Sequence, residues 1–265
     1  MRSKIAIYTC LVGGYDSLED PEAPDPRCDY ICFSNDIPEP QIGVWQIRRF
    51  PYENANATRA SRFPKLQPHA VLPEYEYSLY IDANQILSRE LQERVFRLID
   101  EGAVCGMVVH PERDCVYQEA YFLASSVCGG LSGVRRIFRM VRLLVRERYP
   151  EHFGLYCCCA IFRKHHSPEV MAFSDLWWDL YCRYSHRDQM SANYALWKVG
   201  LTPAVLWGRD FFLRFSRPHR RIAAPHASLG KKLLSYGCVA WFRMYYRLHG
   251  ISLRARSGAA AAEGQ

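Results

Sequence analysis

Strand and helix patterns alternate along this 265-residue chain, and the alternation predicts an α/β fold, one layered domain around a mostly parallel central sheet. Three observations carry that expectation. Apolar runs of strand length, such as Tyr77–Asp82 and Cys105–His110, are nearly continuous, as strands buried on both faces must be. Between them lie longer stretches with apolar residues at helical spacing. The composition, 49% hydrophobic and 23% charged, is that of a globular chain long enough to bury a large core.

Taken in order, Lys4–Val12 is a β-rich apolar run closed by Gly13-Gly14, Asp29–Ser34 reads as a second strand, and Val44–Phe50 as a third. Thr58–His69 reads as a helix interrupted near Pro64. After the strand at Tyr77–Asp82, Ser88 suits the N-cap of a helix through Asp100, with Leu91, Val95, Phe96 and Ile99 at helical spacing. Cys105–His110 is another buried strand and Asp114–Ser126 is helical. Val134, Ile137, Phe138, Val141, Leu144 and Val145 form one apolar stripe with arginines opposite. Tyr156–Phe162 is a strand, Ser167-Pro168 opens a helix reaching about Tyr184, and Arg187–Val199 is a helix stopped by Gly200. No internal repeat is visible. The expected organisation is a main domain over residues 1–228, a basic amphipathic helical segment over 229–256, and a frayed Ala/Gly tail over 257–265.

Several function classes fall away at this level. Eleven cysteines suggest a secreted disulfide scaffold, but Cys157, Cys158 and Cys159 are consecutive in an apolar run, where free thiols pack as small hydrophobes. No paired Cys-x-x-Cys motifs are present, which excludes the usual structural zinc site. The first residues, MRSKIAIYTC, enter a strand without a leader-type apolar region, and no stretch reaches the roughly 18 apolar residues of a membrane span. A reducing, cytoplasmic setting is the expectation. The net charge of +7 is uneven: between Leu201 and Arg256 eleven Lys/Arg face one acid, Asp210. Such a surface attracts phosphates, anionic lipid or nucleic acid. No nucleic-acid-binding module accompanies it, so a specific nucleic acid partner is not expected. Leu229–Leu253 reads two ways, as a helix lying on an anionic membrane or as an amphipathic helix closing the edge of the fold.

The residues that could carry chemistry cluster at strand ends, where open α/β sheets bind ligands. Asp82-Ala83-Asn84 follows an apolar strand, and its two side-chain oxygens suit a hard cation, Mg²⁺ or Mn²⁺, although Asp and Asn are also common turn formers. Arg59, Arg62 and Lys65 place three cations within seven positions, either a diphosphate cradle or a basic helix face. Gly13-Gly14 would let the backbone approach a ligand, and Tyr15 could stack on a base. The Gly-x-Gly-x-x-Gly and P-loop patterns are absent. His110, Arg113 and Glu119 crowd after another strand, Asp188 and Gln189 open a helix where an acid also favours the dipole, and His226 and Lys231 stand in the basic C-terminal third.

In sequence these clusters stand as Tyr8–Asp16, Asp29–Asp36, Arg59–His69, Tyr77–Asn84, His110–Ala120 and Arg187–Gln189. Six ordered blocks over about residues 4–210 resemble a glycosyltransferase-like family formerly catalogued as a domain of unknown function, which includes plant mucilage hexosyltransferases and bacterial capsule or surface-glycan proteins. A more distant likeness is to the family 8 transferases. The resemblance implies a GT-A-type nucleotide-diphospho-sugar transferase fold. It implies hexosyl transfer from a UDP-sugar to a hydroxyl of a glycan or glycolipid acceptor, with retention if family 8 is the guide. It implies Thr9, Gly13, Gly14 and Tyr15 near the nucleotide, Arg59, Arg62, Lys65 and Lys231 at the phosphates, and His110 and Arg113 in donor or acceptor binding. Asp82, Asn84 and a loosely aligned His226 would hold Mn²⁺ or Mg²⁺, and Asp188 and Gln189 would lie under the sugar. Asn84 replaces the second acid of the usual Asp-x-Asp, which lowers the charge of the site by one, and Ser34-Asn35-Asp36 departs from its block, so no role is assigned to Asp36. The alternative reading is a catalytically inactive sugar-nucleotide or glycan-binding protein.

Overall fold

The computed structural model describes residues 4–14, 16–184, 187–217 and 229–253. The chain runs β1 (Ile5–Cys10), β2 (Cys28–Phe33), β3 (Gln41–Ile42), β4 (Trp45–Arg48), α1 (Ala57–Leu66), α2 (Pro68–Val71), β5 (Tyr77–Ile81) and α3 (Arg89–Asp100). It continues with β6 (Cys105–Val109), α4 (Val116–Ser125), α5 (Gly130–Arg146), β7 (Tyr156–Lys164), α6 (Pro168–Arg183), α7 (Asp188–Val199), β8 (Ala204–Trp207), α8 (Phe211–Phe215) and α9 (Leu229–Leu248).

One sheet has the order β3-β4-β2-β1-β5-β7-β6-β8. Six of its eight strands point the same way, and β3 and β7 oppose them. The mostly parallel α/β sheet is as predicted. The antiparallel β7 inside it is not visible in a periodicity that is blind to direction. Helices cover both faces. Tyr8, Cys10 and Tyr80 belong to a core closed by α1, α4–α7 and α9, while Ile5, Ile7 and Leu79 belong to a second core under α3 and α8.

Local chemistry explains the boundaries. Ser88 Oγ accepts from Leu91 N at 3.1 Å and starts α3, as expected of this cap. Pro64 is carried inside α1, and the break comes at Gln67 instead, which sits at φ −122°, ψ 55°. Pro68 follows Gln67 and disfavours its helical conformation. Three elements escaped the sequence reading, β3, β8 and α8. All are short, and β3 and β8 are the edge strands, with Val205 of β8 exposed. All eleven cysteines are free, and burial pushes a thiol such as Cys105 up to about 12, so they serve as apolar filling. No helix among the described residues is long and apolar enough to cross a membrane.

His165, fully buried just past β7, fixes a pH dependence. Leu72 O lies 3.1 Å from Nδ1, and Ser78 Oγ lies 2.6 Å from Nε2. A carbonyl can only accept, so Nδ1 carries the proton and Nε2 accepts from the hydroxyl: the ring is neutral. Desolvation, reinforced by Arg163, pushes its pKa down from 6.5 to about 3. The unfolded chain therefore takes up a proton that the native state refuses as pH falls below about 6.5, and stability drops until pH approaches 3, after which this group contributes no further change. Urea midpoints measured from pH 7 to pH 4 should fall, and His165→Gln, less stable at pH 7, should show a flatter dependence.

Candidate functional site

Because β7 runs against its neighbours, its amino end meets the carboxyl ends of β1 and β5 at one edge of the sheet. Asp82 N donates to Cys159 O at 2.8 Å and seals that junction. The edge carries a cleft of about 470 Å³. Gly13 stands on one wall, Arg62 and Lys65 of α1 on another, Asp82 to Gln85 on a third, and Asp188 and Gln189 of α7 opposite, with Cys157 to Cys159 also facing the cavity.

Lys65 is the centre of its electrostatics. The side chain is only 2% exposed, and its Nζ lies 2.7 Å from Asp188 Oδ2 and 3.3 Å from Asp82 Oδ1. Arg62 Nε approaches the same Asp188 oxygen at 3.1 Å. Burial alone would raise the Asp188 carboxyl, but Lys65 and Arg62 outweigh it and hold the group well below the usual carboxylate range. Burial likewise disfavours the Lys65 ammonium, and the two carboxylates outweigh that and keep it charged. The cluster thus sets two cations, Arg62 and Lys65, against two carboxylates, Asp82 and Asp188.

The start of α7 is anchored from below. Trp177 Nε1 donates to Asp188 O at 2.9 Å, and Asn193 Oδ1 accepts from Tyr156 N at 3.0 Å. Asp188 Oδ1 accepts from Gln189 N at 3.0 Å, in the first turn, where an acid complements the helix dipole. Gln189 Nε2 is buried on the cleft with no hydrogen-bond acceptor among the described residues, a donor left for whatever enters.

A sequence model of the TOD1/MUCI70 glycosyltransferase-like domain matches residues 33–219, most of the chain and all of the cleft-forming elements after β1. The chain belongs to this glycosyltransferase-like family. Among solved structures it is similar to the WbbM bifunctional glycosyltransferase in its apo form (10% identity, 90% of this chain, 44% of that chain, TM-score 0.45). It is also similar to mouse xyloside xylosyltransferase 1 in its apo form (10% identity, 77% of this chain, 84% of that chain, TM-score 0.44). The chain spans less than half the length of the WbbM protein. No curated protein sequence matches it. Its own architecture is the one expected of a GT-A-type transferase: a single α/β domain, a mostly parallel sheet, and Asp82-Ala83-Asn84 directly after a central strand.

The cleft gathers Gly13, Arg62, Lys65, Asp82, Asn84, Asp188 and Gln189 from the residues singled out in the sequence. Others lie elsewhere. Thr9 points to the opposite face of β1 from Cys10, where its hydroxyl is buried without a partner among the described residues. Gly14, at φ 58°, continues the turn that Gly13 begins at φ 78°. Arg59 points away from the cleft, donating to Cys182 O at 2.8 Å at the end of α6. His110 Nδ1 accepts from the backbone of Arg113 at 3.0 Å, and Arg113 Nε donates to Glu119 Oε2 at 2.8 Å. This network ties β6 to α4 and forms no wall of the cleft. Tyr15, His226 and the side chain of Lys231 lie outside the described residues.

Two residues without an assigned role prove structural to the site. Asp36 accepts from Gly13 N at 2.5 Å and from Ser34 Oγ at 2.6 Å, pinning the glycine turn to the end of β2. Arg163, completely buried on β7, donates to Tyr8 Oη at 2.6 Å and to Lys65 O at 2.7 Å, while Tyr8 Oη donates to Pro64 O at 3.2 Å. Together they hold the last turn of α1 so that Lys65 reaches between the two acids. An arginine inside a strand pattern gives no sequence signal of such a role.

The donor set at Asp82 and Asn84 fits a hard divalent cation, and only a sparsely held one. Asp82 Oδ1 already accepts from Tyr80 Oη at 2.6 Å, and Asn84 Oδ1 accepts from Gln85 Nε2 at 2.9 Å. Among the described residues no group of three metal-ligating His, Cys, Asp or Glu side chains converges. Two oxygens are what a Mg²⁺-type ion takes from protein when phosphates and water complete its shell.

Removing one member of this buried cluster uncovers the others. Lys65→Met should lower the unfolding free energy by about 3–5 kcal/mol, because Asp188 keeps its charge and loses its nearer partner. Adding Asp188→Asn to Lys65→Met should then cost less than Asp188→Asn alone, a coupling measurable by urea denaturation of the four proteins.

Proposed function

We propose that the cleft transfers a hexosyl group from a UDP-sugar, in the presence of Mn²⁺ or Mg²⁺, to a hydroxyl of a polysaccharide or surface-glycan acceptor. The observation that carries this reading is the pairing of two fixed cations, Arg62 and Lys65, with Asp82-Ala83-Asn84 on one cleft of a glycosyltransferase-like domain. A departing diphosphate needs that charge. Arg62 offers planar donors to phosphate oxygens and Lys65 a point charge. Asp82 and Asn84 would hold the cation, which would neutralise charge on the leaving group.

In the proposed step the bond between the anomeric carbon and the diphosphate oxygen breaks, the nucleoside diphosphate leaves with the electron pair, and the acceptor oxygen forms the new glycosidic bond. Asp188 stays ionised, so its charge stabilises the cation-like sugar, and it is a poor base. The acceptor proton therefore passes to the departing diphosphate. Gln189, whose amide nitrogen has no acceptor among the described residues, orients the sugar. Passing that proton to the departing diphosphate requires the entering and leaving groups on the same face of the sugar, so we assign retention of configuration. A reducing, cytoplasmic setting is part of this reading and is supported by the eleven unpaired thiols.

Calorimetry tests it. UDP-sugar binding should require Mn²⁺ or Mg²⁺, should be lost in Asp82→Ala, and should weaken by roughly tenfold or more in Arg62→Ala, the cost of a charge-assisted hydrogen bond. Release of UDP on adding acceptor glycans separates a transferase from a protein that only binds. Failure of UDP, GDP and their sugars to bind under any metal would sink the proposal.

A further inference from the structure

The outer side of α9 is the feature of the molecule that the cleft does not use. Its inner side closes the fold as an amphipathic helix should: Cys238, Phe242 and Tyr246 are buried, Tyr246 Oη donates to Tyr117 O at 2.9 Å, and Ser235 Oγ bonds to Ser125 O. A helix with only that task presents a polar back to water. Here the back is apolar. Leu233 is 64% exposed, Trp241 42%, Met244 53% and Leu248 75%, and at helical spacing these four fall on about a quarter of the circumference, with Tyr236, 72% exposed, at its border.

Positive charge borders this stripe on both sides. Arg243 and Arg247 rise along the flank nearer α4, where Arg243 Nε donates to Tyr121 Oη at 2.8 Å. On the other flank, α9 and α5 enclose a groove of about 430 Å³ lined by Arg139, Arg142, Arg146, Tyr184, Tyr245 and His249. Arg139 lies over the Tyr184 ring at 5.7 Å, and Arg146 pairs with Glu147 at 3.2 Å. Neither α5 nor α9 contains an acid. Apolar side chains projecting between two rows of arginine, on a protein without a spanning helix among its described residues, match a lipid headgroup layer in both chemistry and arrangement.

We propose that this face of α9, with the arginines of α5 beside it, docks on an anionic membrane surface. Leu233, Trp241, Met244 and Leu248 enter the headgroup boundary, and Arg139, Arg142 and Arg247 meet lipid phosphates. The inference does not rest on the chemistry of the cleft, and its test needs no turnover.

The full-length protein is sedimented with vesicles of phosphatidylcholine alone and of phosphatidylcholine with phosphatidylglycerol. Binding should be at least about tenfold stronger on the anionic vesicles and should weaken as salt is raised. Arg139→Gln/Arg142→Gln/Arg247→Gln should remove most of that difference. Leu233→Ser/Trp241→Ser/Met244→Ser/Leu248→Ser should reduce anionic-vesicle binding by about tenfold or more. Circular dichroism and thermal midpoints close to those of the parent show that both variants are folded. Equal binding to the two vesicle types, or none to either, overturns the proposal. So does self-association in sedimentation velocity that the four serines abolish while vesicle binding is absent, which would make the stripe an interface between copies of this chain.

Discussion

An ammonium group 2% exposed to solvent is stable only where carboxylates meet it, and Lys65 is met by two. That requirement organises much of the molecule. Asp82 must follow β5, Asp188 must begin α7, and α1 must end where Lys65 can span both. Arg163 and Tyr8 hold the end of α1 through the carbonyls of Lys65 and Pro64, and Trp177 holds the start of α7. Each of these anchors lies in a different element, so the cluster can form only when the sheet and its helices are assembled. The same arrangement holds Lys65, Arg62 and their two acids in place before any ligand arrives, the condition under which electrostatic stabilisation is most effective.

The reversed strand β7 supplies the geometry. In an all-parallel sheet the chain would bring only carboxyl ends to the ligand edge. With β7 antiparallel between β5 and β6, Cys157 to Cys159 arrive there from the amino end of their strand, and Asp82 N closes on Cys159 O. The side chains delivered are small and apolar, and their thiols are pushed up by burial, so they contribute shape and low polarity next to the charged cluster without a competing nucleophile. A low-polarity wall strengthens the Lys65 pairs and excludes water from them.

What was legible in the sequence was what lies at strand ends. Asp82-Ala83-Asn84, Arg62-x-x-Lys65 and Asp188-Gln189 break apolar patterns and so announce themselves, and the structure brings all three to one cleft. Residues inside strands were harder, because a run buried on both faces has no visible sidedness. Thr9 and Cys10 illustrate this: adjacent side chains take opposite faces, and it is Cys10 that lines the cavity. Arg163 was invisible for the same reason. His110, Arg113 and Glu119 were conspicuous as a charged cluster, yet their partners are one another, which spacing alone could not distinguish from partners in a ligand. Strand direction, the short β8 and the short α8 leave no periodic trace at all.

The excess charge of the chain has to be explained outside the cleft. Lys65 and Arg62 are balanced there by Asp82 and Asp188, so the net +7 of the sequence is carried by other surfaces. The acid-free helices α5 and α9 concentrate it on one side, around an apolar stripe that water alone would not favour. Tyr184 lines the groove between them, and Arg187, three positions later in the sequence, lines the cleft. On the two proposals, one molecule would present both a surface for anionic lipid and a cleft for a nucleotide sugar, the combination that an acceptor carried on a lipid requires.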